Sequence, residues 1–184
     1  MAHNLLDGFG WNDHWQATWE SLAAANCEPA RIMREDRGQY QAVCVFGDIT
    51  AELSGKLRNA ARSRSDLPAV GDWVAVRLSD AGDHGLIEAV LPRTGAFVRK
   101  AAGSRTEEQI VAANVDVVFL VMGLDHDYNV RRLERYLTLA WDSGAKPVIV
   151  LNKADLCDDL EAYRGEIEGV AFGVPVSVTS AASG

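Results

Sequence analysis

The chain has 184 residues, enough for one large domain or two small ones, and 48% of them are hydrophobic. Its three cysteines and four histidines are scattered, so they predict neither a disulfide framework nor a metal site. No apolar run approaches the ~20 residues that cross a membrane, and the first residues do not resemble a secretion signal. We therefore expect a cytoplasmic protein without a membrane partner.

The net charge of −8 is unevenly distributed along the chain. Residues 1–29 carry four acidic residues and no lysine or arginine, and residues 106–184 carry 6 basic and 13 acidic residues. Residues 30–105, in contrast, carry 12 basic and 9 acidic residues. An acidic chain argues against a nucleic-acid partner, but this distribution leaves the positive middle third open to one.

The amino-terminal segment, residues 1–29, is predicted to be a helical extension. Within residues 11–25, the apolar side chains recur at helical spacing and fall on one stripe. The stripe consists of Trp11, Trp15, Trp19 and Leu22. Such a stripe indicates packing against the body of the protein more often than a ligand site.

Residues 30–105 are predicted to form a β-barrel. Five short β-leaning runs are separated by turn residues and show no helical period. These runs are ARIMRE, QYQAVCVF, ITAELSGKL, DWVAVRL and GLIEAVL. Five short strands within about 60 residues are typical of a small closed barrel, and the OB-fold is the commonest such barrel that binds nucleic acid. An SH3-like barrel is the structural alternative.

Residues 106–184 change to an α/β pattern. The apolar run Asp116–Met122 is typical of a strand that is buried on both faces of a parallel sheet. The next helix is predicted at 129–143, with an inward stripe of Val130, Leu133, Leu137 and Ala140. A strand at 146–151, a helix at 158–169 and a strand at 175–178 follow. This series predicts an incomplete doubly wound sheet, because three strands are few for that class.

The tetrapeptide Asn152-Lys153-Ala154-Asp155 directly follows the second predicted strand of this sheet. Ligands of open α/β sheets bind at the carboxyl ends of strands, so a site is expected here. The carboxylate of Asp155 can accept the two adjacent N–H donors of guanine, whereas adenine would leave it unpaired. Asn152 can bridge the base edge and neighbouring loops, and the stem of Lys153 can cover a purine face. The alternative is a polar connection with Asp155 as the N-cap of the next helix.

A second element of a guanine site, the dipeptide Ser180-Ala181, follows one helix and one strand later. In guanine-nucleotide sites a short Ser-Ala turn at this place offers a backbone N–H to the guanine O6. The 184 residues contain no G-x-x-x-x-G-K-[S/T], and the nearest match, SGKL at 54–57, lacks the leading glycine and the final hydroxyl. Without a phosphate cradle, this stretch is expected to select a base but not to activate a phosphate.

Six long segments of residues 30–184 carry a family resemblance. They are LSGKLR, LPAVGDWVAV, VLPRTGAFVRKAAG, AANVDVVFLV, RRLERYLTLAWDSGAKPVIVLNKADLC and GVPVSVTSA. In this order, with a barrel where ordinary GTPases have their phosphate loop, the chain resembles the circularly permuted GTPases of the RsgA (YjeQ/EngC) family. The resemblance implies an RNA-binding OB-fold domain at 30–105. It implies that 106–184 is the amino-terminal portion of a permuted P-loop GTPase-like domain.

The function implied by the resemblance is that of a GTPase in ribosome biogenesis. Its partners would be GTP or GDP and the small ribosomal subunit with its rRNA, and it would assist late maturation of that subunit. The implied guanine contacts are Asn152, Lys153, Asp155, Ser180 and Ala181. The phosphate loop, Mg²⁺ and Zn²⁺ would belong to a part beyond residue 184, so this chain is expected to be truncated and inactive in hydrolysis. The alternative is a non-enzymatic RNA-binding adaptor with a degenerate nucleotide domain.

The basic residues of the middle third are the candidate RNA contacts. Four lie in a strand end and polar loop, and three follow the last barrel strand. They are Lys56, Arg58, Arg62 and Arg64, followed by Arg93, Arg99 and Lys100. Loops of OB-folds often contact a nucleic-acid backbone, and the resemblance favours this role over that of a solvated loop. Contacts to phosphates rather than to bases are expected.

Overall fold

A computed structural model describes residues 4–22, 24–100 and 108–183, without the side chains of Asn4, Arg99, Lys100 and Glu108. The chain divides into two compact units, residues 1–114 and 115–184. Each unit has a hydrophobic core of its own. The two units are therefore described one after the other.

The first unit contains a closed five-stranded barrel. Its strands are β1 (Glu28–Asp36), β2 (Gln39–Cys44), β3 (Gly47–Leu53), β4 (Trp73–Leu78) and β5 (His84–Val90). They close in the order β1-β2-β3-β5-β4, and only the pair β3–β5 is parallel. The β3–β5 pairing makes the connection a Greek key rather than a meander, as in OB-folds. The five predicted strands and their closure into a barrel are confirmed.

Two helices precede the barrel in the chain. They are the short α1 (Asn4–Asp7) and the longer α2 (Asp13–Leu22). Trp15 is buried on α2, and Trp11 is buried just before it, so Trp11 lies outside the helix although the sequence predicted one over 11–25. Both tryptophans pack on Trp73 of the barrel, and the ring centroids of Trp11 and Trp73 are 4.7 Å apart. The predicted packing role of the stripe is confirmed.

The segment between β3 and β4 corrects the sequence prediction. Residues predicted as the end of a β-leaning run and a polar loop form the helix α3 (Gly55–Ala60). Ser54 caps it, because its side-chain oxygen accepts a hydrogen bond from the backbone N–H of Leu57 at 3.1 Å. Six residues with a single half-buried apolar side chain show no detectable helical period, which explains the error.

A β-hairpin follows the barrel within the first unit. Its strands are β6 (Ala96–Lys100) and β7 (Glu108–Ala113), which pair antiparallel. The N–H of Ala113 donates to the carbonyl of Val70 at 2.8 Å. Gly71 has φ +88°, and a Cβ there would lie 2.1 Å from the Ala113 carbonyl oxygen, so only glycine permits this close approach. The hairpin is thereby fixed to the segment that leads into β4.

The second unit is a parallel α/β structure. Its elements are β8 (Val117–Gly123), α4 (Val130–Asp142), β9 (Lys146–Asn152), α5 (Leu160–Val170) and β10 (Val176–Val178). The sheet has the order β10-β9-β8, and both strand pairs are parallel. The predicted β-α-β-α-β series is confirmed. Among the described helices, none is long and apolar enough to cross a membrane.

The sheet of the second unit is covered on one face only. Leu120, Ile149 and Leu151 pack with residues of α4 and α5 in the core. On β8, the alternate side chains Val117, Phe119 and Val121 are 46%, 65% and 63% exposed. The prediction that this strand is buried on both faces is therefore wrong for the described residues. Both helices lie on the same face, and an apolar run does not show how many faces are covered.

Candidate functional site

The motif Asn152-Lys153-Ala154-Asp155 lies at the carboxyl end of β9, where the sequence predicted it. Lys153 has a left-handed conformation with φ 64°, and a 3₁₀ turn follows at Ala154–Leu156. The N–H of Ala154 donates to the carbonyl of Thr179 at 3.1 Å, which ties this turn to the end of β10. Asp155 is not the N-cap of α5, because Asp159 accepts the capping hydrogen bond there. The alternative role of Asp155 as a helix cap is wrong.

The Ser180-Ala181 turn meets this motif directly. The side-chain oxygen of Asn152 accepts hydrogen bonds from the N–H of Ala181 at 3.2 Å and from the hydroxyl of Thr179 at 3.3 Å. The hydroxyl of Ser180 donates to one carboxylate oxygen of Asp155. The fold thus brings together two motifs that are separated by more than twenty residues of sequence. Thr179 is a residue of this cluster that the sequence analysis did not identify.

The hydrogen-bonding groups left over can face a ligand. Within the described residues, the second carboxylate oxygen of Asp155 and the side-chain nitrogen of Asn152 form no hydrogen bond. An open cavity of about 450 Å³ lies beside Asn152 and the Ser180-Ala181 turn. It continues over Val121 and Val150 on the uncovered face of the sheet and reaches Val178 at the end of β10. A planar group placed there would meet Asn152, the turn and apolar strand surface, whereas the carboxylate of Asp155 does not line this cavity.

Lys153 has a partner that the sequence analysis missed. Its ammonium group donates to a carboxylate oxygen of Asp125 at 2.6 Å, and the Asp125 side chain is only 12% exposed. This hydrogen bond, assisted by the N–H of Asp127, lowers the pKa of Asp125, and the same contact raises the pKa of Lys153. A Cβ at Gly123 would lie 2.7 Å from an Asp125 carboxylate oxygen, so glycine leaves room for the contact. Asp125 fixes the head of Lys153 in place.

The loop of Asp125 has the Asp-x-Asp-x-Asn pattern that opens calcium loops, but its side chains are used within the chain. Asp127 accepts two hydrogen bonds from the guanidinium of Arg132, both at 2.9 Å. Asn129 is the N-cap of α4 and accepts from the N–H of Arg132 at 2.9 Å. In the described ranges, no group of three or more His, Cys, Asp or Glu side chains is placed to hold a metal ion. The loop is a helix entry.

Four of the predicted RNA contacts lie close together in the first unit. Lys56 and Arg58 are exposed on α3, and Arg62 and Arg64 are exposed in the segment that follows it. Arg58, Arg62 and Arg64 line an open cavity of about 890 Å³. Arg64 forms an ion pair with Glu35 at 3.7 Å, whereas Arg58 and Arg62 form none within the part of the chain that the structure describes. This cluster presents positive charge to solvent.

The other three predicted RNA contacts are placed differently. Arg93 is turned inward, and its guanidinium forms hydrogen bonds to Asp72, Ser65 and Leu67. The side chains of Arg99 and Lys100 lie outside the described residues, although their backbone belongs to β6. The sequence analysis placed Arg93 with the others because it is basic and follows a barrel strand. Its acidic partner is 21 residues away in sequence and gives no local signal.

The fold and the order of the motifs define the class of circularly permuted GTPases. The RsgA GTPase family model matches residues 90–184, and the chain belongs to this family. The resemblance predicted from the sequence is confirmed.

Individual proteins agree with this assignment. The chain is 45% identical over 182 residues to the small ribosomal subunit biogenesis GTPase RsgA of Syntrophotalea carbinolica, covering 95% of this chain and 50% of that protein. It is 45% identical over 187 residues to the protein of the same name from Opitutus terrae, covering 97% of this chain and 51% of that protein. The chain thus spans about half the length of the curated relatives it matches.

Two solved structures are similar to the chain. YjeQ from Thermotoga maritima aligns with a TM-score of 0.66 and 26% identity, over 85% of this chain and 53% of YjeQ. YloQ, described as a circularly permuted GTPase, aligns with a TM-score of 0.63 and 21% identity, over 87% of this chain and 54% of YloQ. The likeness to YloQ concerns the fold alone.

Proposed function

We propose that the protein is a GTPase of small ribosomal subunit biogenesis that recognises guanine in its second unit and rRNA in its first. The relatives carry the name small ribosomal subunit biogenesis GTPase RsgA. GTP binding, hydrolysis, the ribosomal partner and a cytoplasmic location are parts of this proposal, because the chain spans only about half of those relatives.

The observation that carries the nucleotide part is the meeting of the β9 motif with the Ser180-Ala181 turn. The carboxylate of Asp155 would accept the N1–H and N2–H of guanine, and the Ser180 hydroxyl would hold that carboxylate in orientation. Asn152 holds the turn through the N–H of Ala181. Guanine O6 would accept a hydrogen bond from this N–H, either together with Asn152 or in its place. The existing bond to Asn152 is 3.2 Å long. The stem of Lys153, with its head held by Asp125, would cover one face of the ring.

The phosphate chemistry has no counterpart in these residues. The 184-residue sequence contains no G-x-x-x-x-G-K-[S/T], so this stretch alone is expected to bind the base weakly and not to hydrolyse GTP. No residue described in the second unit is assigned a catalytic role. Mg²⁺ would accompany the phosphates, and a Zn²⁺ site belongs to the proposal only through the family resemblance.

The RNA part of the proposal rests on the barrel and its basic cluster. A Greek-key barrel of five strands supports an OB-fold, whose loops commonly contact nucleic-acid backbones. Lys56, Arg58, Arg62 and Arg64 are exposed, and the three arginines line one cavity, which suits contacts to successive phosphates. Arg93 leaves this set, because its guanidinium is used within the protein. Arg99 and Lys100 stay candidates from the sequence.

The nucleotide proposal is tested by changing Asp155→Asn in the native full-length protein. The asparagine amide can donate a hydrogen bond to the C2 carbonyl of xanthine. Unlike a carboxylate, it cannot accept from both the N1–H and the N2–H of guanine. We expect the ratio of GDP to XDP affinity to fall by at least about tenfold, measured by competition with a fluorescent nucleotide. Asp158→Asn, an exposed acid outside the motif, is the matched control and should leave the ratio unchanged. An unaltered ratio in Asp155→Asn, with the fold intact, would refute guanine recognition by this motif.

A further inference from the structure

We infer that Arg93 is a positioning residue for RNA binding, because it holds the basic segment 62–67 against the barrel rather than contacting a phosphate itself. The inference rests on the proposed RNA contact by Arg58, Arg62 and Arg64. In this role the partly buried Arg93 keeps the exposed arginines in position.

The guanidinium of Arg93 is fully engaged by the protein on two sides. Its Nε and Nη2 donate to the two carboxylate oxygens of Asp72 at 2.8 and 2.6 Å, as a bidentate pair. On the other side, Nη1 donates to the carbonyl of Ser65 at 2.7 Å and Nη2 to the carbonyl of Leu67 at 2.8 Å. Arg93 therefore connects the start of β4 with the segment that carries Arg62 and Arg64.

Burial shows that this connection is structural rather than incidental. The Asp72 side chain is completely buried, and that of Arg93 is 19% exposed. Asp72 also accepts a hydrogen bond from the N–H of Ala69 at 2.8 Å, so one carboxylate binds both the Arg93 side chain and the backbone at Ala69. A phosphate that reached for the Arg93 guanidinium would compete with four hydrogen bonds and leave a buried carboxylate unpaired. Direct contact with RNA is disfavoured for that reason.

The segment between the clamp and the exposed arginines is itself well ordered by hydrogen bonds. A carboxylate oxygen of Asp66 accepts from the N–H of Arg62 at 2.8 Å and from the N–H of Ser63 at 3.1 Å. Asp66 lies between the two residues whose carbonyls Arg93 holds. The backbone at Arg62 and Arg64 is therefore fixed through Asp66 to Ser65 and Leu67, and through Arg93 to the barrel. Loss of the hydrogen bonds of either Asp66 or Arg93 should leave the backbone at Arg62 and Arg64 without a fixed conformation.

The test uses the 184-residue chain and measures its binding to purified small ribosomal subunits as a function of salt. The variants are Arg93→Lys, which keeps the charge, and Asp72→Asn and Asp66→Ala, which each remove a negative charge. A lysine cannot form the forked pair and reach two carbonyls. We expect all three variants to bind more weakly. The plot of log affinity against log salt has a negative slope, and its magnitude should decrease by about 1.4. This corresponds to the loss of the two phosphate contacts of Arg62 and Arg64, at ~0.7 each on single-stranded RNA.

The opposite result is equally defined. If Arg93 contacts phosphate directly, Arg93→Lys should bind almost as the parent, and removing the acid at residue 72 or 66 should strengthen binding to a polyanion. Either of these outcomes overturns the inference. Arg77→Lys, on an exposed pair with Glu88, is the matched control and should change neither affinity nor slope.

Two further measurements separate other causes. Tryptophan fluorescence during urea unfolding shows whether the barrel of each variant is folded. Asp66 is exposed, so Asp66→Ala is expected to fold. It tests the positioning role if Arg93→Lys and Asp72→Asn unfold. The triple change of Arg58, Arg62 and Arg64 to Gln tests the proposed RNA contact itself. If that triple variant binds normally, the RNA proposal fails; if it binds weakly while Arg93→Lys and Asp66→Ala bind normally, only the positioning role fails.

Discussion

The two units of the chain use their β-strands in different ways. In the first unit, five strands close on one another, each has a neighbour on both sides, and the barrel core includes completely buried residues such as Ile32, Val74 and Ile87. In the second unit, three parallel strands carry helices on one face, and Phe119 on the other face is 65% exposed. The barrel is closed around its own core, whereas the described part of the sheet is enclosed on one side only.

The candidate sites nevertheless follow the same principle in both units. Neither consists of core residues: each lies at the ends of elements, on a short helix or on the connections between elements, and polar side chains hold those connections in place. Arg93 holds the segment with the basic cluster, and Asp125 holds Lys153. The rigid β-structure supplies the positions, and a few long-range hydrogen bonds set the precise geometry of the loops.

The largest expected effect concerns the closed core of the barrel. Ile32→Ala removes a completely buried side chain and should lower the free energy of unfolding of the first unit by about 2–5 kcal/mol. Four of the five tryptophans belong to this unit, so their fluorescence during urea unfolding reports on it. The neighbouring Met33 is 45% exposed, and Met33→Ala should change the stability by about 0.5 kcal/mol or less. Equal effects of the two changes would contradict a closed core at this strand.

A smaller effect is expected at the site of the second unit. Asp125→Ala frees the head of Lys153 and should weaken nucleotide binding by the native full-length protein about twofold to fivefold, in line with a partly exposed ion pair. Because the lysine stem would cover the ring face, the affinities for GDP and IDP should fall by the same factor. Asp127→Ala breaks the neighbouring pair with Arg132 and is the matched control. A change in the GDP-to-IDP ratio would show that Asp125 acts on the base edge instead.

Much of this arrangement could be predicted from the sequence, and the failures have a common cause. Alternating and continuous apolar runs indicated the barrel strands and the parallel sheet, because burial leaves a local pattern. The partners of Arg93 and Lys153 are 21 and 28 residues away in sequence, and polar pairs at such separations leave no local pattern. The number of covered faces of β8 also depends on where the crossover helices pack. Local patterns therefore predicted the elements and the motif, but not the contacts that position the side chains.

The smallest expected effect tests the one-sided sheet. Phe119 and Leu120 are adjacent on β8, but Phe119 is 65% exposed and Leu120 only 9%. In the 184-residue chain, Phe119→Ser should change the free energy of unfolding of the second unit by about 0.5 kcal/mol or less, because little apolar surface leaves a packed environment. Leu120→Ala should cost about 2–5 kcal/mol, since it opens a cavity under α4 and α5. Hydrogen exchange of the β8 and β9 amides measures both. If Phe119→Ser were as costly as Leu120→Ala, the second face of the sheet would have to be packed in solution, and the contrast with the closed barrel would disappear.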